Sequence, residues 1–295
     1  MSQESPMSAT LPRDHSVTWE GPLQNTVHIR PSSTWTSLEL NELLAYRELL
    51  YFLTWRDIKV RYKQTALGLT WAVLKPLSLM LIFTVVFGWL AQVPSDGLPY
   101  PVFSLCAILP WQLFAQTLSS TSQSLISNQN LLTKVYFPRL VIPLAALGVG
   151  LMDFMIAAAI LACVMAYFQM VPTLLALFLP SFVLLAVMMS LGVGFWFSAL
   201  NIQYRDVGHA LPFLTQLWFF ATPIAYPSSL VPESWRTWYG LNPMATVVEG
   251  FRWSLLGTGG LSTDMWLTSV AVTVAVFVSG LYYFRRVEET FADIV

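Results

Sequence analysis

The 295-residue chain has few charged residues: Asp, Glu, Lys and Arg make up 11% of it, and hydrophobic residues make up 56%. A soluble domain carries about 25% charged residues. Because one water-soluble core cannot cover so much apolar surface, the composition predicts an integral membrane protein. The formal net charge of -1 gives no indication of a nucleic-acid partner, and we predict none.

Several motifs that carry chemistry are also missing. The sequence has no GxxxxGK[ST] phosphate-binding loop, no nucleophile elbow, no HExxH pair and no Cys/His cluster. Its two cysteines, Cys106 and Cys163, stand inside apolar runs, where a small buried side chain is the simplest role for them. We therefore predict no catalytic residue, metal site or cofactor in this chain. A nucleotide that powers it would be bound by another subunit.

Six apolar runs are long enough to cross a bilayer as helices, which takes roughly 20 residues. From Phe154 to Tyr204 there is no Asp, Glu, Lys, Arg or His. That stretch is too long for one span, and Pro172 breaks it within a turn at Gln169–Thr173. The predicted spans are Thr70–Gln92, Tyr100–Ser120, Leu140–Met165, Thr173–Leu200, Val207–Tyr226 and Met265–Phe284.

The basic residues are distributed unevenly about these spans. Of the 15 Lys and Arg, only Arg236 and Arg252 fall on one side, and the other 13 fall on the opposite side. The positive-inside rule then places both termini in the cytoplasm. We predict an all-α integral membrane protein with six transmembrane helices.

An amphipathic helix is predicted just before the first span. Tyr51, Trp55, Ile58 and Tyr62 recur at a spacing that makes one helical stripe. Basic residues border this stripe, as is typical of a helix that lies in the membrane interface; they are Arg56, Lys59, Arg61 and Lys63. A plain basic flank that sets the topology is a compatible alternative.

These features divide the chain into four parts. Residues 1–36 form a polar cytoplasmic extension without the apolar region of a signal peptide. Residues 37–66 hold the interfacial helix, 67–286 the six-span domain and 287–295 a short cytoplasmic tail. Between spans five and six, Pro227 to Asp264 is too apolar for a solvated loop and too broken for a span. It predicts short re-entrant helices that act as a gate or exit, with an interfacial aromatic belt as the alternative.

Few ionisable residues remain inside or between the spans. Asp153 is the only carboxylate well inside a predicted span, which makes it a functional candidate. The alternative is a structural carboxylate near one end of the span that is paired or faces a cavity. The loop Asn128–Pro143 is basic and amphipathic, and it is either a docking element or a plain connector. The adjacent charged pair Arg205–Asp206 either contacts a partner or caps a helix.

Four segments, in this order, resemble the ABC-2 type permeases that export polysaccharides. They are RDIKVRYKQTALGLTWAVLKP at 56–76, KVYFPRLVIPLA at 134–145, NIQYRDVGHALPFLTQLWFFATPIAYP at 201–227 and LNPMATVVEGFRW at 241–253. The resemblance runs with gaps from about Leu38 to Arg286 and leaves out the N-terminal extension.

The resemblance implies a complex of two permease chains and two ATP-binding cassette subunits in a bacterial inner membrane, with ATP and Mg on the partner subunits. The permease pair would enclose a channel for lipid-linked polysaccharide, such as O-antigen, capsule or teichoic acid. The residues expected to dock on the ATP-binding subunit are Arg56, Lys59, Arg61, Lys63, Lys134, Tyr136, Phe137, Arg139, Arg205 and Asp206.

Aromatic side chains suit a sliding sugar polymer, because sugar rings have apolar C–H faces and aromatic rings are flat and rigid. The residues expected at the channel or gate are Trp71, Trp89, Trp111, Asp153, Trp218, Tyr226, Trp235, Trp238 and Tyr239. Membrane lipids are the competing contact for each aromatic.

Two other functions fit parts of the pattern. An ABC-2 exporter of a drug or small lipid would share the topology but would not need an aromatic channel. A membrane-embedded, lipid-dependent glycosyltransferase would need several acidic or basic groups that converge, and Asp153 alone does not meet that need.

Overall fold

In the computed structural model, the described residues are 40–63, 68–135, 137–204, 206–232, 238–258, 260 and 262–288, with the backbone alone described at 40–42. Across these residues the regular secondary structure is all helical and contains no β-strand. Five helices in this part of the chain are long and apolar enough to cross a membrane. The all-α membrane fold predicted from composition is therefore confirmed.

The helices follow one another in a simple order. They are α1 (Leu40–Ala45), α2 (Arg47–Lys63), α3 (Leu69–Phe83) with its π-helical continuation Thr84–Leu90, α4 (Tyr100–Ser127), α5 (Gln129–Leu132), α6 (Val141–Tyr167), a 3-10 turn (Leu174–Phe178), α7 (Leu179–Gln203), α8 (Val207–Ala221), a second 3-10 turn (Ser228–Leu230), α9 (Pro243–Leu256) and α10 (Thr263–Glu288).

Every one of the six predicted spans coincides with a helix, but the fifth is short. Helix α8 has 15 residues, or about 22 Å of length, and is less than a bilayer requires. It ends at Ala221 because Pro223 follows Thr222, and a residue before proline is forced out of helical geometry. Thr222 is accordingly extended, with φ -102° and ψ 140°. The count of six spans remains a prediction.

Helix α4 lies at the centre of the fold. It packs against α3, α6, α7, α8 and α9, and 78% of the residues in its most apolar stretch are buried, against 11% for α3 with its π-helical continuation. Small residues let its neighbours approach closely, as is usual between membrane helices. A Cβ added at Gly150 would lie 2.4 Å from Thr117 Oγ1, and one added at Gly194 would lie 2.7 Å from Thr121 Cγ2.

Helices α7 and α10 meet backbone to backbone. A Cβ added at Gly280 would lie 2.1 Å from the carbonyl oxygen of Gly192, and one added at Gly192 would lie 2.7 Å from Phe277 Cα. Only glycine leaves room for this approach. The two glycines therefore fix the spacing between α7 and α10.

The predicted interfacial helix is present in two pieces, α1 and α2, which are separated at Tyr46. Its buried side chain is Leu53, while Tyr51 and Trp55 of the predicted aromatic stripe are exposed. Thr54 packs against Gly148 of α6, and its hydroxyl donates to the Ala145 carbonyl at 3.4 Å. Helix α2 is thus attached to α6. Its place in the membrane interface remains a prediction.

Candidate functional site

An open-sided cavity of about 570 Å³ lies between the C-terminal end of α2 and helices α3, α4 and α6. We call it the α3–α4 cavity. Its wall is mostly apolar and includes Leu74, Leu79, Leu109, Leu113, Phe154 and Ala157. Its polar and aromatic groups are Arg61, Tyr62, Trp71, Lys75, Ser78, Gln112, Gln116 and Asp153.

Asp153 is held by two side chains from α2. Arg61 Nη2 lies 2.6 Å from Asp153 Oδ2, and the Tyr62 hydroxyl donates to Oδ1. Burial raises the pKa of Tyr62, and the hydrogen bond to Asp153 raises it further, so that this side chain remains a phenol and a donor. The carboxylate singled out in the sequence is therefore both paired and at the edge of a cavity.

The basic residues of α2 divide between the interior and the surface. Arg56 binds Asp57 and donates to Asn128 Oδ1 at 2.7 Å, which ties α2 to the end of α4. Lys59 lies over the Trp55 ring at 5.2 Å, and Lys63 is exposed. Of the four α2 residues predicted to dock, Lys59 and Lys63 are the more accessible.

In the loop before α6, some of the predicted docking side chains also point into the protein. Phe137 is buried among Leu53, Leu140 and their neighbours. The backbone N–H of Arg139 donates to Glu288 Oε1 at 3.0 Å, and its guanidinium donates to the Glu288 carbonyl. Lys134 and Asp206 are exposed. Tyr136 and Arg205 lie outside the described residues.

The described tryptophans among the residues predicted at the channel or gate either pack in a cluster of rings or are exposed. Trp111 and Trp218 belong to a cluster of rings with Phe114 and Phe219, with ring centroids 4.9–5.5 Å apart. Three others are exposed, namely Trp71, Trp89 and Trp238. Trp235 lies outside the described residues. The exposed three are the ones that can meet lipid or substrate without rearrangement.

A second polar cluster surrounds the turn after α8, and Arg252 of α9 is its centre. This guanidinium, only 2% exposed, pairs with Glu249 at 2.9 Å. It also donates to three carbonyls, at 2.8 Å to Pro223, 3.0 Å to Ile224 and 3.3 Å to Tyr226. On its other side, the ring centroid of Phe103 lies 3.7 Å from the guanidinium carbon.

Sequence reasoning missed this cluster, because Arg252 was counted only as a charge outside the membrane. One signal was available: Glu249 and Arg252 stand three residues apart in an otherwise uncharged helix, the spacing of an intrahelical pair. The carbonyls that Arg252 binds lie 26–29 residues away and leave no trace in local spacing.

Asn242 joins the same turn to the start of α9. Its Oδ1 accepts from Trp218 Nε1 at 2.8 Å and from the Met244 N–H at 3.2 Å, which caps α9. Its Nδ2 donates to Thr222 Oγ1 at 3.1 Å. The hydroxyls of Tyr226 and Tyr239 lie 2.5 Å apart nearby. Three of the predicted gate residues, Trp218, Tyr226 and Tyr239, therefore share one network with α9.

The cavity offers hydrogen bonds and ring faces to a ligand, whereas the Arg252 guanidinium is buried and its Nη1 and Nη2 groups donate within the protein. Asp153 and Glu249 lie in separate ion pairs, so they do not form a pair of carboxylates for acid–base chemistry. Among the described residues no group of three His, Cys, Asp or Glu is placed to hold a metal ion.

Comparison with known proteins adds a family match. The model of the family described as "ABC-2 type transporter" matches residues 48–256. An O-antigen export system permease protein of Klebsiella pneumoniae is 30% identical over 265 residues, which cover 88% of this chain and 100% of that protein. Another protein so named, from Myxococcus xanthus, is 30% identical over 86% of this chain and 98% of its own length. A polysialic acid transport protein of Escherichia coli is 26% identical over 79% of this chain and 91% of its own.

Proposed function

Because the chain belongs to the family of ABC-2 type transporters, we propose that it is the permease subunit of an exporter of lipid-linked polysaccharide, most specifically O-antigen, in a bacterial inner membrane. The observation that carries this proposal is the 30% identity to an O-antigen export permease over that protein's full length. Exposed aromatic rings and a cavity that carries several polar side chains support it, because a sugar polymer needs both ring faces and hydrogen bonds.

The working complex in this proposal contains two copies of the chain and two ATP-binding cassette subunits, which bind ATP and Mg and hydrolyse the nucleotide. Both termini face the cytoplasm, with the polar extension 1–36 and the tail 287–295 there, and residues 67–286 cross the membrane six times. Helix α2 and the loop before α6 rest on the ATP-binding subunits. Among the predicted docking residues that the structure describes, the exposed side chains are Lys59, Lys63, Lys134 and Asp206.

The proposal predicts where the polysaccharide stops when the chain is removed. In a deletion strain, finished lipid-linked polymer should accumulate on the cytoplasmic side while the surface polysaccharide disappears. The chain purified from its own host should also bring an ATP-binding subunit with it. Surface polysaccharide and membrane extracts of the deletion and complemented strains are compared by carbohydrate-stained gels.

The same strains separate the alternatives. Loss of a glycosyltransferase would leave shortened polymer or none inside the cell, and loss of a drug or small-lipid exporter would leave the surface polysaccharide intact. Either result would contradict the proposal.

The docking surface gives a second prediction. A Lys134→Glu variant should lower export about tenfold or more, because a reversed charge opposite an acidic partner costs several kcal/mol across an interface. ATP hydrolysis by the complex should then be uncoupled from export. The measurement is surface polysaccharide per cell together with the ATPase rate of the reconstituted complex.

Lys134 is exposed, so its replacement should leave the amount of folded chain unchanged. Arg286→Glu is the matched control, since Arg286 is an exposed basic residue at the end of α10 that the docking proposal does not use. Equal export by the two variants would remove Lys134 from the docking surface.

A further inference from the structure

Two polar groups of the α3–α4 cavity, Gln112 and Asp153, lie near the middle of two long helices. Gln112 stands 12 residues after Tyr100 in the 28 residues of α4. Asp153 stands 12 residues after Val141 in the 27 residues of α6. Each of these helices is about 40 Å long, so both side chains lie near its middle. Polar groups within apolar spanning helices are costly without partners and are usually retained for a function.

The amide groups of this cavity have unused hydrogen-bonding capacity. Gln112 Nε2 is covered by neighbouring atoms but has no hydrogen-bond partner among the described residues. The terminal torsion of glutamine is broad, so a rotation can turn this amide into the cavity that it lines. Gln116, one turn further along α4, donates to Ser120 Oγ at 3.0 Å. An amide has two N–H donors and a carbonyl acceptor, so this glutamine can bond a ligand as well.

A carboxylate and an aromatic ring complete the lining. Asp153 accepts from Arg61 and Tyr62, and a carboxylate has room for about four donors. Trp71 of α3 also lines the cavity, with 58% of its surface exposed. Its indole provides a flat apolar face beside the polar groups. The volume of about 570 Å³ falls in the usual range of ligand pockets, about 300–1,000 Å³.

The charges of the cavity do not suit a phosphate group. Arg61 is neutralised by Asp153 at 2.6 Å, which leaves Lys75 as the lining cation without an acidic partner inside the cavity. Bidentate phosphate contacts come from arginine, and the Arg61 guanidinium is already paired with Asp153, so that Lys75 offers a phosphate only a point charge. The mixture of amides, a paired carboxylate and one indole face instead matches a ring that carries hydroxyl groups around an apolar face.

We propose that the α3–α4 cavity is a binding subsite for one uncharged sugar unit of the exported polymer. In this subsite Gln112, Gln116 and Asp153 bind the hydroxyl groups and Trp71 covers the ring face. The inference rests on the proposed function, and it adds a discrete subsite in the membrane-embedded half of a single chain. Binding there would make export depend on the stereochemistry of the sugar rather than on polymer length alone.

A photo-crosslinking experiment in the native host tests this subsite. A benzophenone amino acid is placed at position 78, because Ser78 lines the cavity and is not one of the proposed sugar contacts. The control position is Leu184, which is exposed on α7 and does not line the cavity. After illumination the full-length chain is purified by a tag, and its adducts are stained for carbohydrate and analysed for lipid phosphorus. We expect carbohydrate adducts at position 78 and none at position 184.

Substitutions in α4 then show which side chains bind the sugar. Combining Gln112→Met with Gln116→Met keeps side-chain length and removes both amides, and we expect carbohydrate labelling at position 78 to fall about fivefold or more, the factor for one lost neutral hydrogen bond. Gln123→Met is the matched control: Gln123 lies on the same helix, is exposed and donates to Ser119 instead. It should leave the labelling unchanged.

Three outcomes would overturn the inference. They are phospholipid adducts alone at position 78, equal carbohydrate labelling at positions 78 and 184, and labelling that survives the double substitution. Any of these, in a strain whose surface polysaccharide still depends on the chain, removes the subsite and leaves the proposed function standing. Surface polysaccharide that persists when the chain is deleted would instead remove the proposed function.

Discussion

Replacing Arg252 by methionine is expected to cost about 3–5 kcal/mol of stability, the usual effect of removing one member of a buried ion pair. The substitution leaves the Glu249 carboxylate buried without its cation. It also removes the hydrogen-bond donor of the carbonyls of Pro223, Ile224 and Tyr226. The turn after α8 should then separate from α9. Thermal unfolding of the detergent-purified chain and its steady-state level in membranes measure the effect.

Three further variants assign the cause of that loss. Adding Glu249→Gln to Arg252→Met removes the unpaired charge and should restore part of the stability. Arg252→Lys keeps the charge but lacks the planar fork, so it should lose an intermediate amount. Arg286→Met deletes an exposed arginine and should change little. If the double variant were no more stable than Arg252→Met, the unpaired carboxylate would not be the source of the loss.

The second large effect is expected for Gly280→Val. The new Cβ would lie 2.1 Å from the Gly192 carbonyl oxygen, and a backbone carbonyl cannot rotate away as a side chain can. Overpacking in a core costs about 1–3 kcal/mol when side chains can yield, so here we expect the upper end of that range or more. Helices α7 and α10 would have to separate, and little chain should remain in the membrane fraction.

Ala275→Val is the matched control for this substitution. Ala275 stands on the same helix, is exposed, and gains the same branched side chain. Membrane levels and thermal unfolding of the two variants are compared. If Gly280→Val accumulated like Ala275→Val, the close approach of α7 and α10 would not be needed for folding.

The sequence predicted the positions of the long helices well, because apolar runs and breaks such as Pro172 are local signals. It overestimated the length of the fifth helix for a physical reason. The apolar run continues to Tyr226, but the backbone leaves helical geometry at Thr222 because Pro223 follows. Hydropathy measures how well side chains suit lipid, and it does not register the restriction that one proline places on its neighbour.

The contacts at the site could be predicted only in part. Asp153 was identifiable as an unusual carboxylate, but Arg61 lies 92 residues earlier in the chain, and nothing local connects them. In the same way, Arg139 is predicted from the sequence to dock on a partner, although its guanidinium donates to the backbone carbonyl of Glu288, 149 residues later. The sequence position of a basic residue near the membrane therefore indicates topology. Which way its side chain points can be known only from the tertiary structure.

Helix α4 has a consequence for how the protein can move. Five neighbouring helices cover most of it, so displacing it would break contacts with α3, α6, α7, α8 and α9 at once. Helices α3 and α8 are covered far less, and Leu211 is the buried residue of α8. Sparsely packed elements open at the lowest free energy. We therefore expect α4 to stay in place during the transport cycle while α3 and α8 move relative to it.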